Sequence, residues 1–446
     1  MFRFPERSVR AALILALLLG GAPWLARANK REIVPGFRVQ TRYDSNVFNR
    51  EDSVLGDFAT TLSPELAFRE VGDWGRIQLV YRLDRRLFRR FSGRNSTIQA
   101  FSAEGARRIS PRLTLTGNAG LRLFDNVDSF QATDDLTIGE TASSQTGSGR
   151  LGVRYQLTRR TSLSLAGNGV LIRNDDQSRF DTTSVGGQLS LQHVLSRVSS
   201  ASVLLGLTSS SFENQRSGAS IVCVASGFFT NPTLCPDPLL PFPIQDQLTQ
   251  ETRIDNQTLS LSGSWIRQWT PAWRSSLTLG VSRVTSSQEF TSSGLQSGSS
   301  TRTTRPPATM TFTGSLVLSR ESRLGRLDLS FNRQTRPSTG EGATLDVNTL
   351  RFLYTRKLAR RLSFDIRGSL QQSQSSFSGS GVTGSSIDTT FTSLGGGVTW
   401  SFSRQLSAFL RVSRTDQSAT GTRFSQSFNE IVTTVGFRYN FPIDLL

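Results

Sequence analysis

Apolar and polar residues alternate in this chain with a period of two, segment after segment, from Phe37 to Phe441. Phe37, Val39, Thr41 and Tyr43 share one side of the first segment, and Arg38, Gln40 and Arg42 share the other. The same spacing returns at Arg76 to Leu83, Arg112 to Thr116, Arg150 to Tyr155, Ser162 to Leu165, Arg274 to Val281, Arg361 to Arg367 and Ile431 to Phe441. Successive side chains of a strand point to opposite faces, so each segment is a ribbon with one apolar and one polar side. Punctuated by turn residues, the pattern predicts strands near 36–45, 57–70, 73–84, 95–108, 111–123, 147–158, 161–173, 182–196, 200–212, 253–269, 272–285, 308–319, 324–334, 346–357, 361–373, 387–402, 405–415 and 428–441.

That is about 18 strands, 16 at the fewest, because 95–108 and 182–196 alternate poorly. Short connections at Gly72, Ile109-Ser110, Arg159-Arg160, Arg197 to Ser199, Thr270-Pro271, Glu321-Ser322, Arg360 and Ser403-Arg404 alternate with long polar ones. The longest of these runs from Glu213 to about Thr252. Segments of about ten dyad residues, joined alternately by short periplasmic turns and long extracellular loops, are the signature of a transmembrane antiparallel β-barrel. Both ends of the chain then fall on the periplasmic side. A secreted adhesin-like β-protein would share the alternation. Its apolar faces would have to pack against a second layer, however, and Gly117, Gly167 and Gly169 suit that poorly.

An apolar run from Ala11 to Leu19 follows Arg3, Arg7 and Arg10 and precedes Ala26-Arg27-Ala28, which predicts a secretory signal peptide over 1–28. Residues 29–446 form the barrel, and a strand begins so soon after the cleavage site that no plug domain is expected. No second stretch reaches the ~18 apolar residues of a membrane helix. Removing the leader lowers the net charge from +17 to +14, with 47 basic residues against 33 acidic ones. Val435 to Phe441 resembles the final-strand signal read by the outer-membrane assembly machinery, which makes that machinery an expected partner, although Pro442 to Leu446 follow the last Phe.

Tyr43-Asp44-Ser45-Asn46-Val47-Phe48, followed after a short acidic loop by Asp57-Phe58-Ala59-Thr60-Thr61-Leu62-Ser63-Pro64, carries something narrower. It resembles the opening of outer-membrane β-barrels encoded with exopolysaccharide or capsule clusters, some of which accompany exosortase and PEP-CTERM sorting systems. The resemblance implies a porin-like Gram-negative outer-membrane barrel that serves polysaccharide secretion and has no catalytic residues. Polysaccharide and periplasmic export components are partners in keeping with that role, and the barrel reading itself makes outer-membrane lipid and lipopolysaccharide expected partners. The expected function is therefore assisted export of an acidic exopolysaccharide. An anion-preferring diffusion porin and a non-conducting structural or adhesive barrel are the alternatives.

The residues themselves offer little reaction chemistry. His193 is the one histidine, and it falls beside a short turn, at the opposite rim from the one used by barrel hydrolases. One His and two Cys cannot build an ordinary zinc site, so no metal and no cofactor are expected. Cys223 and Cys235 flank eleven residues of the longest loop, and in an exported chain such a pair predicts a local disulfide rather than two reduced thiols.

Strand parity turns Arg38, Arg42, Arg76, Arg82, Arg122, Arg154, Arg367 and Arg438 towards the lumen if the apolar faces meet lipid. They are the candidate anion-binding residues. With Asp84, Asp328 and Asp365 on the same faces, the charge admits two readings, a self-neutralised wall or a basic lining that concentrates anions. A second basic set lies at the short turns: Arg107, Arg108, Arg159, Arg160, Arg197, Arg320, Arg323, Arg356, Lys357, Arg360 and Arg361. It predicts a headgroup anchor or a docking ring for a periplasmic partner. A sequence pI near 11.2 raises nucleic acid as a partner, but no recognition helix or nucleic-acid motif accompanies it, so none is expected.

Overall fold

The structure, a computed structural model, describes residues 28–49, 54–128, 141–175, 180–222, 244–294, 298–305, 307–337, 344–376, 387–421 and 424–445. Its strands are β1 (Ala28–Asp44), β2 (Asp57–Gly72), β3 (Gly75–Phe88), β4 (Ser96–Ser110), β5 (Leu113–Asp128), β6 (Thr141–Gln156) and β7 (Thr161–Asn174). They continue as β8 (Asp181–Ser196), β9 (Ser199–Val222), β10 (Ile244–Gln268), β11 (Trp273–Gly294), β12 (Gly298–Thr304), β13 (Thr309–Glu321) and β14 (Gly325–Pro337). The last are β15 (Thr344–Ala359), β16 (Leu362–Ser376), β17 (Ile387–Ser401), β18 (Leu406–Gly421), β19 (Phe424–Asn440) and β20 (Ile443–Leu445).

Each wall strand pairs antiparallel with its sequence neighbours, and β1 pairs with β19 from Gly36 opposite Asn440 to Asp44 opposite Val432. That last pairing closes an 18-strand barrel. The remaining two strands lie outside the count, since β12 only extends a hairpin from β11 and β20 caps the start of β1. Closure leaves no free edge. Among the described residues no plug is present, and the one helical turn, Ser92–Arg94, belongs to the β3–β4 connection.

The two faces of the wall can be told apart from burial. No second layer covers the convex face of a single ring, so a run of large buried side chains marks the inward face and a run of large exposed apolar ones the outward face. On β9, Ser210, Phe212 and Asn214 are buried while Val203, Leu205 and Leu207 are exposed. The outward set runs in register around the ring: Leu189 faces Leu205, Leu205 faces Leu261, Leu261 faces Val281, and Val281 faces Phe312. On β7 this apolar band extends from Leu163 to Leu171, close to the ~9–11 residues a tilted strand needs to cross a bilayer.

At the end remote from the short turns the polarity inverts. Outward positions become Ser209, Ser211 and Glu213 on β9 and Gln257, Asp255 and Arg253 on β10, while Phe212 and Ile254 are buried inside. On β15, Val347 and Leu345 are buried between Asn348 and Asp346. Above the lipid the outer surface meets water, so the strands there read polar-out and apolar-in.

Several strands run further than alternation predicts. β1 starts at Ala28 rather than near 36. Both ends of the expected Glu213–Thr252 loop are ladder, from Glu213 opposite Arg253 to Val222 opposite Ile244. β18 and β19 approach one another at Gly421 and Phe424, where a loop over 416–427 was expected. The sequence at 213–222, 244–252 and 416–427 is rich in Ser, Thr and Gln, and 28–35 is broken by Lys30, Arg31 and Glu32, so no alternation marks these stretches, yet ladder bonds are backbone bonds and need none. Residues 1–27 of the expected leader, Cys223 and Cys235 lie outside the described residues.

The β2–β3 connection is Asp73-Trp74, closed by Gly75 at a φ of +152°. A Cβ there would stand 2.0 Å from the Ala106 carbonyl oxygen of β4. Gly75→Ala is therefore expected to lower the unfolding free energy of the refolded barrel by about 1–3 kcal/mol, read as a lower urea midpoint, from the forced backbone conformation and the displaced β3–β4 ladder. A midpoint equal to wild type would show that the turn can relax.

Candidate functional site

By register, Arg38, Arg42, Arg76, Arg82, Arg122, Arg154, Arg367 and Arg438 stand on the face of their strands opposite the apolar row. Arg82 sits in a register row with Glu65 on one side and Ala100, then Arg122, on the other. Arg38 faces Arg438 across the β1–β19 seam, and Ser63 on its other side. Arg42, Arg76, Arg154 and Arg367 alternate with the outward Tyr43, Ile77, Tyr155 and Ile366.

Most of these guanidiniums meet a carboxylate. Arg42 bridges Asp44 and Glu430. Arg76 reaches Glu104 at 2.9 Å, Arg82 reaches Asp84 at 3.1 Å, Arg367 reaches Asp365 at 3.3 Å, and Arg438 stands 4.0 Å from Glu65. Arg-x-Asp recurs because residues two apart on a strand share a face, about 6.6 Å apart, which is within an arginine's reach. Arg326 with Asp328 repeats it inside the lumen, and Arg414 with Asp416 repeats it on the outer surface. Arg154 donates to Ser164 Oγ at 3.4 Å. Among the described residues, no carboxylate lies within ion-pair distance of Arg38 or Arg122. The wall is thus largely self-neutralised, with a net-positive patch where Arg38, Arg82, Arg122 and Arg438 gather around Glu65 and Asp84.

The opposite arc carries almost no charge. The inward residues of β8 to β11 are mainly Ser, Thr, Gly and Gln, and their hydroxyls pair with one another. Ser202 meets Ser264 at 2.7 Å, Ser210 donates to Ser184 at 2.9 Å, and Ser282 meets Thr311 at 2.7 Å. Below the apolar distal ring of Phe212, Ile254, Leu345 and Val347 the lumen is mostly polar, and its ion pairs concentrate on the seam side.

The motif at 43–48 and 57–64 serves a structural purpose that its sequence alone does not reveal. Asp44 Oδ1 accepts the backbone N–H of Asn46 at 3.0 Å, and Asn46 Nδ2 donates to the Asn429 carbonyl of β19 at 3.1 Å. Ser45 N–H donates to the Ile431 carbonyl at 3.0 Å, while Ile431 N–H donates back to Ser45 Oγ at 2.8 Å. Phe48 packs edge-on against Phe91, with centroids 4.9 Å apart, and the Arg94 guanidinium lies over Phe48 at 4.9 Å. Asp57, 1% exposed, accepts N–H groups of Phe58 at 2.7 Å, Arg90 at 2.9 Å and Phe91 at 3.1 Å. Together these residues form a clasp at the distal rim that fastens the β1–β2 connection to β19 on one side and to the β3–β4 connection on the other. His193 lies on the turn side, its Nδ1 3.0 Å from Thr161 Oγ1. Among the described residues no group of His, Cys, Asp and Glu could hold a metal ion.

No protein-family model matches the chain, and no curated protein matches it in sequence. Solved structures overlap it at low identity. Pseudomonas aeruginosa OccK2 (OpdF) shares 13% identity with a TM-score of 0.43, covering 94% of this chain and 99% of that one. Pseudomonas aeruginosa OpdK, solved with vanillate, gives 10% and 0.40, with 94% and 100% covered. The ferric-catecholate import receptor Fiu of E. coli K12 gives 9% and 0.45, with 91% and 81% covered.

Proposed function

We propose that this protein is an outer-membrane channel, reached after removal of residues 1–28, through which an anionic polysaccharide passes from the periplasm to the cell surface. The observation that carries the reading is the net-positive patch on the seam side of the lumen. Like charges directly opposite on neighbouring strands destabilise a sheet. Arg38 and Arg438 face one another in this way, and Arg38 has no carboxylate within ion-pair distance among the described residues. An anionic guest that visits the patch offsets that cost, and guanidinium forks match carboxylate and phosphate geometry. The hydroxyl arc across the lumen offers hydrogen bonds to uncharged sugar rings, which supports a glycan over a simple inorganic anion.

The test is single-channel recording from refolded protein in a planar bilayer under a salt gradient. Wild type should prefer anions, and an acidic oligosaccharide should block the current while its neutral counterpart does not. Exchanging Arg38 and Arg122 together for serine should abolish the selectivity and weaken the block. Anion current without glycan block would favour a diffusion porin for small anions. Silence from folded protein would favour a structural barrel.

A further inference from the structure

We infer that the outer wall of β10, β11 and β13, at the turn end, is a binding site for an anionic glycerophospholipid of the inner leaflet. Three outward rows meet there. Trp265 faces Leu277, which faces Leu316; Arg267 faces Ser275, which faces Leu318; and Trp273, at the start of β11, faces Arg320. The turn adds Trp269, whose backbone N–H donates to the Trp273 carbonyl at 2.9 Å. Trp269 Nε1 donates to Ser275 Oγ at 2.8 Å, which fixes the ring so that its face meets Arg267.

The Arg267 guanidinium lies 4.1 Å from the Trp269 centroid and 5.9 Å from that of Trp265, and Arg320 lies 5.4 Å from that of Trp273. Among the described residues neither arginine has a carboxylate within ion-pair distance. A guanidinium stacked on an indole keeps its N–H edge free, and that edge suits a phosphate oxygen. Trp269 is 55% exposed, so the stack stands open to the bilayer. Towards the membrane centre, Leu277, Leu279 and Leu316 are exposed and offer an apolar track for acyl chains. Tryptophans at the headgroup level are common on membrane proteins. Here two unpaired cations are stacked on them within three adjacent strands, which concentrates the site on one side of the barrel. It depends on the membrane placement of the barrel, with its turns towards the inner leaflet, and on nothing that passes through the lumen.

The experiment refolds the full chain into vesicles of equal phosphatidylglycerol and phosphatidylcholine, re-extracts it in mild detergent and measures retained lipid by native mass spectrometry. Wild type should retain phosphatidylglycerol several-fold over phosphatidylcholine. R267Q/R320Q should return the ratio to that of the vesicle, and Trp269→Leu, which keeps both charges, should lower it as well. Arg404→Gln, at a different turn, should leave it unchanged. A wild type without enrichment, or enrichment that persists in R267Q/R320Q, would overturn the site. Equal loss in Arg404→Gln would mean diffuse rim charge and would overturn it too.

Discussion

Leu205→Arg should prevent most of the protein from inserting, while Ser190→Arg, on the inward face of the adjoining strand, should insert normally. Leu205 is 45% exposed and lies in register between Leu189 and Leu261, within the apolar band. An arginine on the lipid face near the midplane costs about 2–4 kcal/mol. Ser190 faces Leu204 and Ser164 inside the ring, where a cation can stay hydrated. Heat-modifiable gel mobility and urea titration in vesicles separate the two outcomes. Equal behaviour would mean that the faces of β8 and β9 have been assigned the wrong way round.

Asp57→Ala should destabilise the distal rim on the order of 3 kcal/mol, since a buried donor left without its acceptor costs ~1–3 kcal/mol. The carboxylate accepts three backbone N–H groups, two of them from the β3–β4 connection, and alanine accepts none. Asp57→Asn keeps an acceptor oxygen and should recover part of the loss. The urea midpoint reports the size of the effect. Protease nicking near Arg89 and Arg90 reports its location, and increased nicking elsewhere with none at those arginines would show that the clasp does not hold that connection.

How far the sequence reveals these features depends on where lipid is. Inside the membrane one face of each strand must be apolar, so alternation located all 18 wall strands, including the two poorly patterned ones. Outside it, the ends of β9 and β10 carry Ser, Gln, Asp, Arg and Glu on their outer face, and the period that would mark them disappears. That the arginines share the face opposite the apolar residues followed from parity. Their pairing did not: whether Arg82 finds Asp84, or Arg42 finds Glu430, depends on register, and Glu430 lies 388 positions away from Arg42. The clasp was visible only as a resemblance at 43–48 and 57–64. Its hydrogen bonds run largely to backbone groups of distant segments, which side-chain patterns do not record.

The clasp also bears on how the ring comes to be complete. Every wall pairing except one joins strands that follow each other along the chain, with β12 interposed once as a side hairpin, so hairpins can zip up in order as each new strand arrives. Only β1 and β19 must search for one another, across nearly the whole polypeptide. Loop-closure entropy rises only logarithmically with length, about 0.6 kcal/mol per doubling, so one long-range encounter is affordable if something holds it once made. Ser45, Asn46 and Arg42 seize Ile431, Asn429 and Glu430 at that junction. Contacts of this kind, if made only after the two strands have met, latch the closed ring by slowing its reopening rather than by speeding their meeting.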